Sequence, residues 1–253
     1  MLGLMAIQSR DVSVPLPGSG TMGAYLALPA AGEPRAALLV AHELFGVSPD
    51  IRGVVDQLAE LGYAALAPEF YHRSAPHGQW LPRDDAGRTR GFEQLRSLTR
   101  DGVVEDVRAA MAYARGVCPN PRVGMLGFSM GGHIAYLAAT QLDLTATAVL
   151  YGGWLASTDI PLSQPNPTLD LTRGIAEHGG HVLYLVGGKD HLITAEQVAL
   201  IRSALQAAEV LAEVVVYPDA AHAFFWPNTP AFHAEARAAA WDQLTEFFQK
   251  TLT

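Results

Sequence analysis

Cys118 is the only cysteine, so the chain can form no internal disulfide, and a reducing compartment, the cytoplasm, is the expected location. No apolar run approaches the roughly 18 residues needed to cross a bilayer, so no membrane association is expected. Basic residues are outnumbered, 17 Lys and Arg against 25 Asp and Glu, and the net charge of −8 argues against nucleic acid or an anionic membrane as partner. Charged residues make up only 17% of the chain while 49% are hydrophobic, which suits one α/β domain, 1–253, with a substantial core. No pair among the nine histidines has the H-E-x-x-H spacing, so no metal is assigned and no cofactor is expected. The opening stretch Met1–Ile7 is briefly apolar but lacks a positive leader and an A-x-A site, which argues against a signal peptide.

What is present is a turn built around one hydroxyl. Residues 122–132 read Arg-Val-Gly-Met-Leu-Gly-Phe-Ser-Met-Gly-Gly, a short apolar run that breaks on small residues and then enters the helical pattern 133–141. The core, Gly127-Phe128-Ser129-Met130-Gly131, matches G-x-S-x-G, in which a serine rides a sharp strand-to-helix turn and glycines on either side let backbone approach closely. The N–H of Met130, at the start of the helix, is directed toward an oxyanion formed at Ser129. Cleavage of an acyl bond is the chemistry this pattern suggests.

A serine hydroxyl needs a base and a group to orient the base, in the chain order Ser, Asp or Glu, His. The apolar strand His181–Gly188 runs into Lys189-Asp190, and the strand Val214–Tyr217 runs into Pro218-Asp219-Ala220-Ala221-His222. Reacting groups in an open parallel sheet gather at the carboxyl ends of strands, so Ser129, Asp190 and His222 fall on one edge. Rivals have plainer readings. His191 is read as a loop residue facing away from the partner of Asp190, and His133, one helical turn past Ser129, as a packing or solvated residue. His72 and His77 lie in a polar loop, His178 and His233 on helix surfaces, and Asp219 suits a turn.

Strand and helix patterns alternate along the rest of the chain. Strands are expected at Met22–Leu28, which could run antiparallel, and at Ala36–Ala41, Tyr63–Ala67 and Ala146–Tyr151. Helices are expected at Ile51–Leu61 with Gly62 as cap, Asp101–Arg115, near Leu169–Glu177 after a long connection, at Ala195–Ala208, and finally at Pro230–Gln249. Repeated β-α units imply a mostly parallel central sheet with helices on both faces.

Several segments, taken in order, resemble the dienelactone hydrolase family of the α/β-hydrolase fold: Ala41-His42-Glu43-Leu44-Phe45-Gly46-Val47, Pro68-Glu69-Phe70-Tyr71, Gly127–Gly132, Gly188-Lys189-Asp190-His191 and Ala221-His222-Ala223-Phe224. The resemblance spans almost the whole chain. It implies Ser129 as nucleophile, His222 as base, Asp190 as orienting acid, and Leu44 and Met130 as the two oxyanion donors. It also implies that Glu43 sits beside the nucleophile and controls its activation; the alternative is that Glu43 only organises its loop. Arg88, in the loop 84–88, stands where the family grips a substrate carboxylate, or, with Arg83 and Arg90 nearby, it is a solvated charge. Two positions depart from the family pattern. Serine replaces the family's usual cysteine at position 129, and a hydroxyl is much less acidic than a thiol, so reliance on His222 should be greater. Trp226 stands where the family has a second arginine, which points to a less anionic, more hydrophobic substrate. Phe45, Phe92, Tyr151 and Trp154 are candidates for an apolar pocket or for plain core.

The expected function is that of a serine carboxylesterase that cleaves a small ester or lactone through an acyl-enzyme on Ser129, as a monomer or homodimer. The alternatives are an acyl transferase, which would pass the acyl group to an alcohol, and a non-catalytic ligand-binding protein on the same scaffold. A dehalogenase would require a carboxylate at position 129.

Overall fold

A computed structural model describes residues 6–227 and 229–252 of the chain, apart from the side chain of Ser19. The strands are β1 (Ile7–Pro15), β2 (Thr21–Pro29), β3 (Ala37–Ala41), β4 (Ala64–Pro68), β5 (Val123–Phe128), β6 (Ala146–Leu150), β7 (His181–Gly187) and β8 (Leu211–Tyr217). The helices are α1 (Pro49–Glu60), α2 (Asp85–Ser97), α3 (Arg100–Val117), α4 (Met130–Ala139), α5 (Arg173–Glu177), α6 (Ala195–Ala207) and α7 (Ala234–Leu252). All eight strands form one sheet in the order β1-β2-β4-β3-β5-β6-β7-β8. The pairs β1/β2 and β2/β4 are antiparallel, and the other five are parallel.

This is the α/β-hydrolase fold, with helices flanking both faces of the sheet. Strands β3, β4, β5 and β6 are buried at every residue, as continuous apolar runs covered on both faces should be. The connections between them are helices because parallel neighbours need a long crossover. α1 starts where Ser48 accepts a hydrogen bond from Ile51 N and Pro49 presets the first turn, and it buries Ile51, Val54, Val55, Leu58 and Ala59. α6 starts with a capping box between Thr194 and Gln197. α3 and α4 pack side by side, and α7 crosses β5, β6 and β7.

Four features differ from the sequence-based expectations. β1, which was not anticipated, is a polar edge strand exposed along most of its length, so it carries no hydrophobic run. Residues 85–97 form α2 in place of a loop; Asp84 caps it by accepting from Gly87 N at 2.7 Å. The segment near Leu169 is a 3-10 turn, Thr168–Leu171, followed by the short α5. α7 begins at Ala234 rather than Pro230, because His233 N bonds back to Phe224 O and His233 Nδ1 accepts from Ala236 N. His233 therefore caps the helix from outside it.

Two histidines are sealed inside as neutral rings. His133 donates from Nδ1 to Gly153 O at 2.8 Å and accepts at Nε2 from Thr168 Oγ1 at 2.9 Å, and burial lowers its pKa to about 4. His42 is equally buried and is also held down to about 4. An unfolded histidine titrates near 6.5, so between those values the unfolded chain binds more protons than the native one and stability falls as the pH drops. The loss should reach about 2 kcal/mol per histidine at pH 5. The urea midpoint is expected to fall between pH 7.5 and pH 5, and His133→Gln is expected to shallow that fall. An unchanged slope in the variant would reject the assignment.

Candidate active site

Ser129 joins β5 to α4 with φ 52° and ψ −114°, a backbone conformation that costs a non-glycine residue about 1–3 kcal/mol. The surroundings enforce it. A Cβ on Gly127 would lie 2.0 Å from Gly131 O, and one on Gly131 would lie 2.2 Å from Ala41 O, so α4 starts hard against the ends of β5 and β3. Ser129 N donates to Leu150 O at 2.9 Å on the neighbouring β6, which ties the turn to the sheet. Every residue of α4 is buried. Met130 is its first residue, and its N–H has no partner within the helix.

The loops after β7 and β8 bring two more groups to the turn. Ser129 Oγ lies 3.0 Å from His222 Nε2, and His222 Nδ1 lies 2.8 Å from Asp190 Oδ2. Asp190 Oδ1 accepts from Leu192 N at 2.8 Å and Ile193 N at 3.1 Å, so its carboxylate is fixed by backbone on one side and by the ring on the other. Because the carboxylate can only accept, Nδ1 carries the ring proton and Nε2 is free to accept the Ser129 hydroxyl proton. The Asp190 side chain is fully buried, whereas His222 keeps 12% exposure toward the cleft.

That cleft, about 440 Å³, is lined by Glu43, Leu44, Phe45, Arg88, Phe92, Ser129, Met130, Trp154, His191, Leu192, His222 and Ala223. A larger depression of about 530 Å³ lies over α3 and the end of β1, but its lining of Pro15, Pro17, Glu105, Arg108, Ala109, Ala112 and Tyr113 holds no serine, cysteine or histidine. The smaller cleft, which holds Ser129 and His222, is therefore the candidate active site. It contains Leu44 and Met130 beside Ser129, and among the described residues no cluster of side chains is arranged to hold a metal.

Glu43 is buried in the wall of the cleft, yet both its oxygens are engaged. Oε1 accepts from Arg83 Nε at 2.9 Å and also from Arg83 Nη2, while Oε2 accepts from Trp226 Nε1 at 3.0 Å. Arg83 reaches on to Asp50 Oδ2 at 2.6 Å, and its guanidinium stacks 5.0 Å from the Trp226 ring. Burial pushes the Glu43 carboxyl up, and the Arg83 charge and hydrogen bonds pull against that rise.

Several expectations about the pocket need correction. Trp226 is not a cleft residue: it is 2% exposed, and its indole is spent on Glu43. Tyr151 is fully buried behind the site, with its ring edge-on to His222 at 5.1 Å, and so does not reach substrate space. Arg88 does line the cleft, from the first turn of α2 rather than from a loop, and its guanidinium is paired with Asp85 at 2.6 Å in the open. His191 does not face away: it lines the cleft with its ring 6.0 Å from that of His222. The role of Arg83 had no local signal, because it meets Glu43 from 40 positions away. His133 packs in the core, His72 bonds to the buried Asp106, His77 to Glu69, and exposed Asp219 pairs with Lys189.

Fold and site together define an enzyme of the α/β-hydrolase class. The sequence profile of the dienelactone hydrolase family matches residues 22–252. A relative from Methylorubrum extorquens, named "Putative carboxymethylenebutenolidase", is 33% identical over 247 residues, covering 95% of this chain and 80% of the relative. The carboxymethylenebutenolidase of Pseudomonas putida is 29% identical over 244 residues, covering 96% and 94%. A crystal structure from Klebsiella pneumoniae, described as a "Putative Dienelactone Hydrolase", superposes with a TM-score of 0.86 at 31% identity over 97% of this chain and 99% of that one. The chain belongs to the dienelactone hydrolase family, and it is a carboxylic ester hydrolase.

Removing the half-buried partner of a buried carboxylate strands it. Arg83→Met is expected to cost about 3 kcal/mol of stability, and the double variant Arg83→Met/Glu43→Gln to recover part of it. Urea unfolding measures both. A double variant no more stable than the single would show that Glu43 does not depend on Arg83.

Proposed function

We propose that the protein hydrolyses small neutral carboxylic esters or lactones through an acyl-enzyme on Ser129. The observation that carries this reading is the continuous relay from Ser129 Oγ through His222 to Asp190, at 3.0 Å and 2.8 Å, opening on a small apolar cleft. His222 Nε2 takes the hydroxyl proton as Ser129 Oγ bonds to the acyl carbon, and the oxygen of the tetrahedral intermediate is received by the N–H groups of Leu44 and Met130. His222 then gives its proton to the leaving alkoxide. A water, deprotonated by His222, attacks the acyl carbon, and collapse of the second tetrahedral intermediate releases the acid and returns the proton to Ser129. In a lactone the leaving alkoxide stays tethered to the acyl group, so one hydroxy acid is released.

The cleft chemistry supports a neutral substrate. Phe45, Phe92, Trp154, Leu192 and Ala223 give it apolar walls, and its volume is suited to a small molecule. The half-buried cation, Arg83, is consumed by Glu43 and Asp50. The cation at the mouth, Arg88, is 62% exposed and paired with Asp85, so it holds a substrate carboxylate only in competition with Asp85 and water. Glu43, held by Arg83 and Trp226, acts as a fixed buried charge that shapes the site and does not deprotonate Ser129.

Fluorophosphonate labelling and hydrolysis of a short p-nitrophenyl ester test the reading. Ser129→Ala and His222→Ala are each expected to abolish labelling and to lower kcat/KM by at least about 10³-fold, and Asp190→Asn by about 10³–10⁴-fold. A folded Ser129→Ala protein with native turnover would reject the mechanism. Arg88→Ala is expected to change kcat/KM for the neutral ester by less than about threefold. A larger loss on that ester would reject the neutral-substrate assignment.

A further inference from the structure

The peptide unit between Glu43 and Leu44 carries one of the two donors assigned to the oxyanion, and it is clamped from both sides. This peptide is trans, since among the described residues the cis bond is Gln164–Pro165. In a planar trans peptide the C=O and N–H point in opposite directions, so whatever holds the Glu43 oxygen also aims the Leu44 N–H. His42 Nδ1–H donates to that oxygen at 2.7 Å, with Gly46 N–H as a longer second donor at 3.3 Å.

The His42 ring is itself fixed. Its Nε2 accepts from Phe70 N at 3.3 Å, and the ring packs against Phe70 and Tyr71 with centroids 5.5 Å and 5.0 Å away. Fully buried and held near pKa 4, the imidazole stays neutral at physiological pH, with one N–H and one lone pair, each used on backbone. On the far side of Leu44, the Tyr71 hydroxyl donates to Leu44 O at 3.1 Å. The carbonyls before and after the Leu44 N–H are therefore both held, one by His42 at the end of β3 and the other by the segment that follows β4.

We propose that His42, seconded by the Tyr71 hydroxyl, is a positioning residue that aims the Leu44 N–H at the oxyanion. The inference rests on the acyl-enzyme reading above. Oxyanion stabilisation depends on donors that are oriented before charge develops, and a peptide released from His42 is free to rotate its N–H away from the cleft. Ground-state substrate gains little from that donor, so the loss should fall on kcat and leave KM nearly alone.

The test uses the full-length protein, a short p-nitrophenyl ester, and an alkyl boronic acid that forms a tetrahedral adduct on an activated serine. His42→Ala is expected to lower kcat about 10- to 100-fold, keep KM within about twofold, and weaken the boronic acid by a factor similar to the loss in kcat. His42→Asn, whose amide can still donate to Glu43 O, is expected to recover most of the loss. Tyr71→Phe keeps the ring packing and is expected to lower kcat by a smaller factor, which keeps the test decisive if His42→Ala does not fold. Native kcat in the folded variants, or a loss carried by KM, would overturn the proposal. Failure of the acyl-enzyme reading would look different: Ser129→Ala would keep native turnover whatever stands at position 42, and the inference would fall with it.

Discussion

The backbone at Ser129 is forced to positive φ because α4 begins within contact of the ends of β3 and β5. Much of the site follows from that crowding. The hydroxyl stands above the sheet edge, the first N–H of α4 comes next to it, and the loop after β8 delivers His222 to 3.0 Å. The strain is sustained by position: α4 is buried along its whole length, and Ser129 N is bonded into β6, so relaxing the turn would mean moving a helix through the core.

Two buried carboxylates belong to the site, Asp190 and Glu43, and the fold treats them differently. Asp190 takes two backbone N–H groups and the ring N–H of His222, and so fixes which nitrogen faces the serine. Glu43 is met by a guanidinium and an indole, and burial raises its pKa against their pull. A carboxylate tied in this way cannot swing to the nucleophile without stranding its buried charge, at a cost of several kcal/mol. The serine and the locked glutamate are thus consistent with each other under the proposed mechanism, in which the hydroxyl relies on His222 and the glutamate serves as structure. The loop that carries Glu43 also carries Leu44, so the same few residues set the charge and the hydrogen-bonding geometry beside Ser129.

Membership of the dienelactone hydrolase family fixes the class of reaction but leaves the substrate to the walls of the cleft. Those walls are aromatic and aliphatic, with their one accessible guanidinium at the rim and already paired. Trp226, at the position where the resemblance implies a second arginine, turns its indole onto Glu43. The guanidinium in that region comes instead from Arg83, on the stretch before α2.

The sequence by itself determined the β-α alternation, the turn at Ser129, and the chain order in which Asp190 and His222 follow their strands. Those signals are local: apolar runs of strand length, glycines around a hydroxyl, and polar loops at strand ends. β1 escaped because an exposed polar edge has no hydrophobic period, and α2 because its buried face is Gly87, Gly91, Gln94 and Leu95, in which only one residue is strongly apolar. Tertiary structure alone decided that Arg83 meets Glu43, that Trp226 turns inward, that His191 borders the cleft, and that His42 holds the Glu43 carbonyl from its own ring nitrogen. Each of these depends on which side chain lies across a gap between elements distant in sequence, or on which way one ring turns within the packed core, and no periodicity along the chain encodes that.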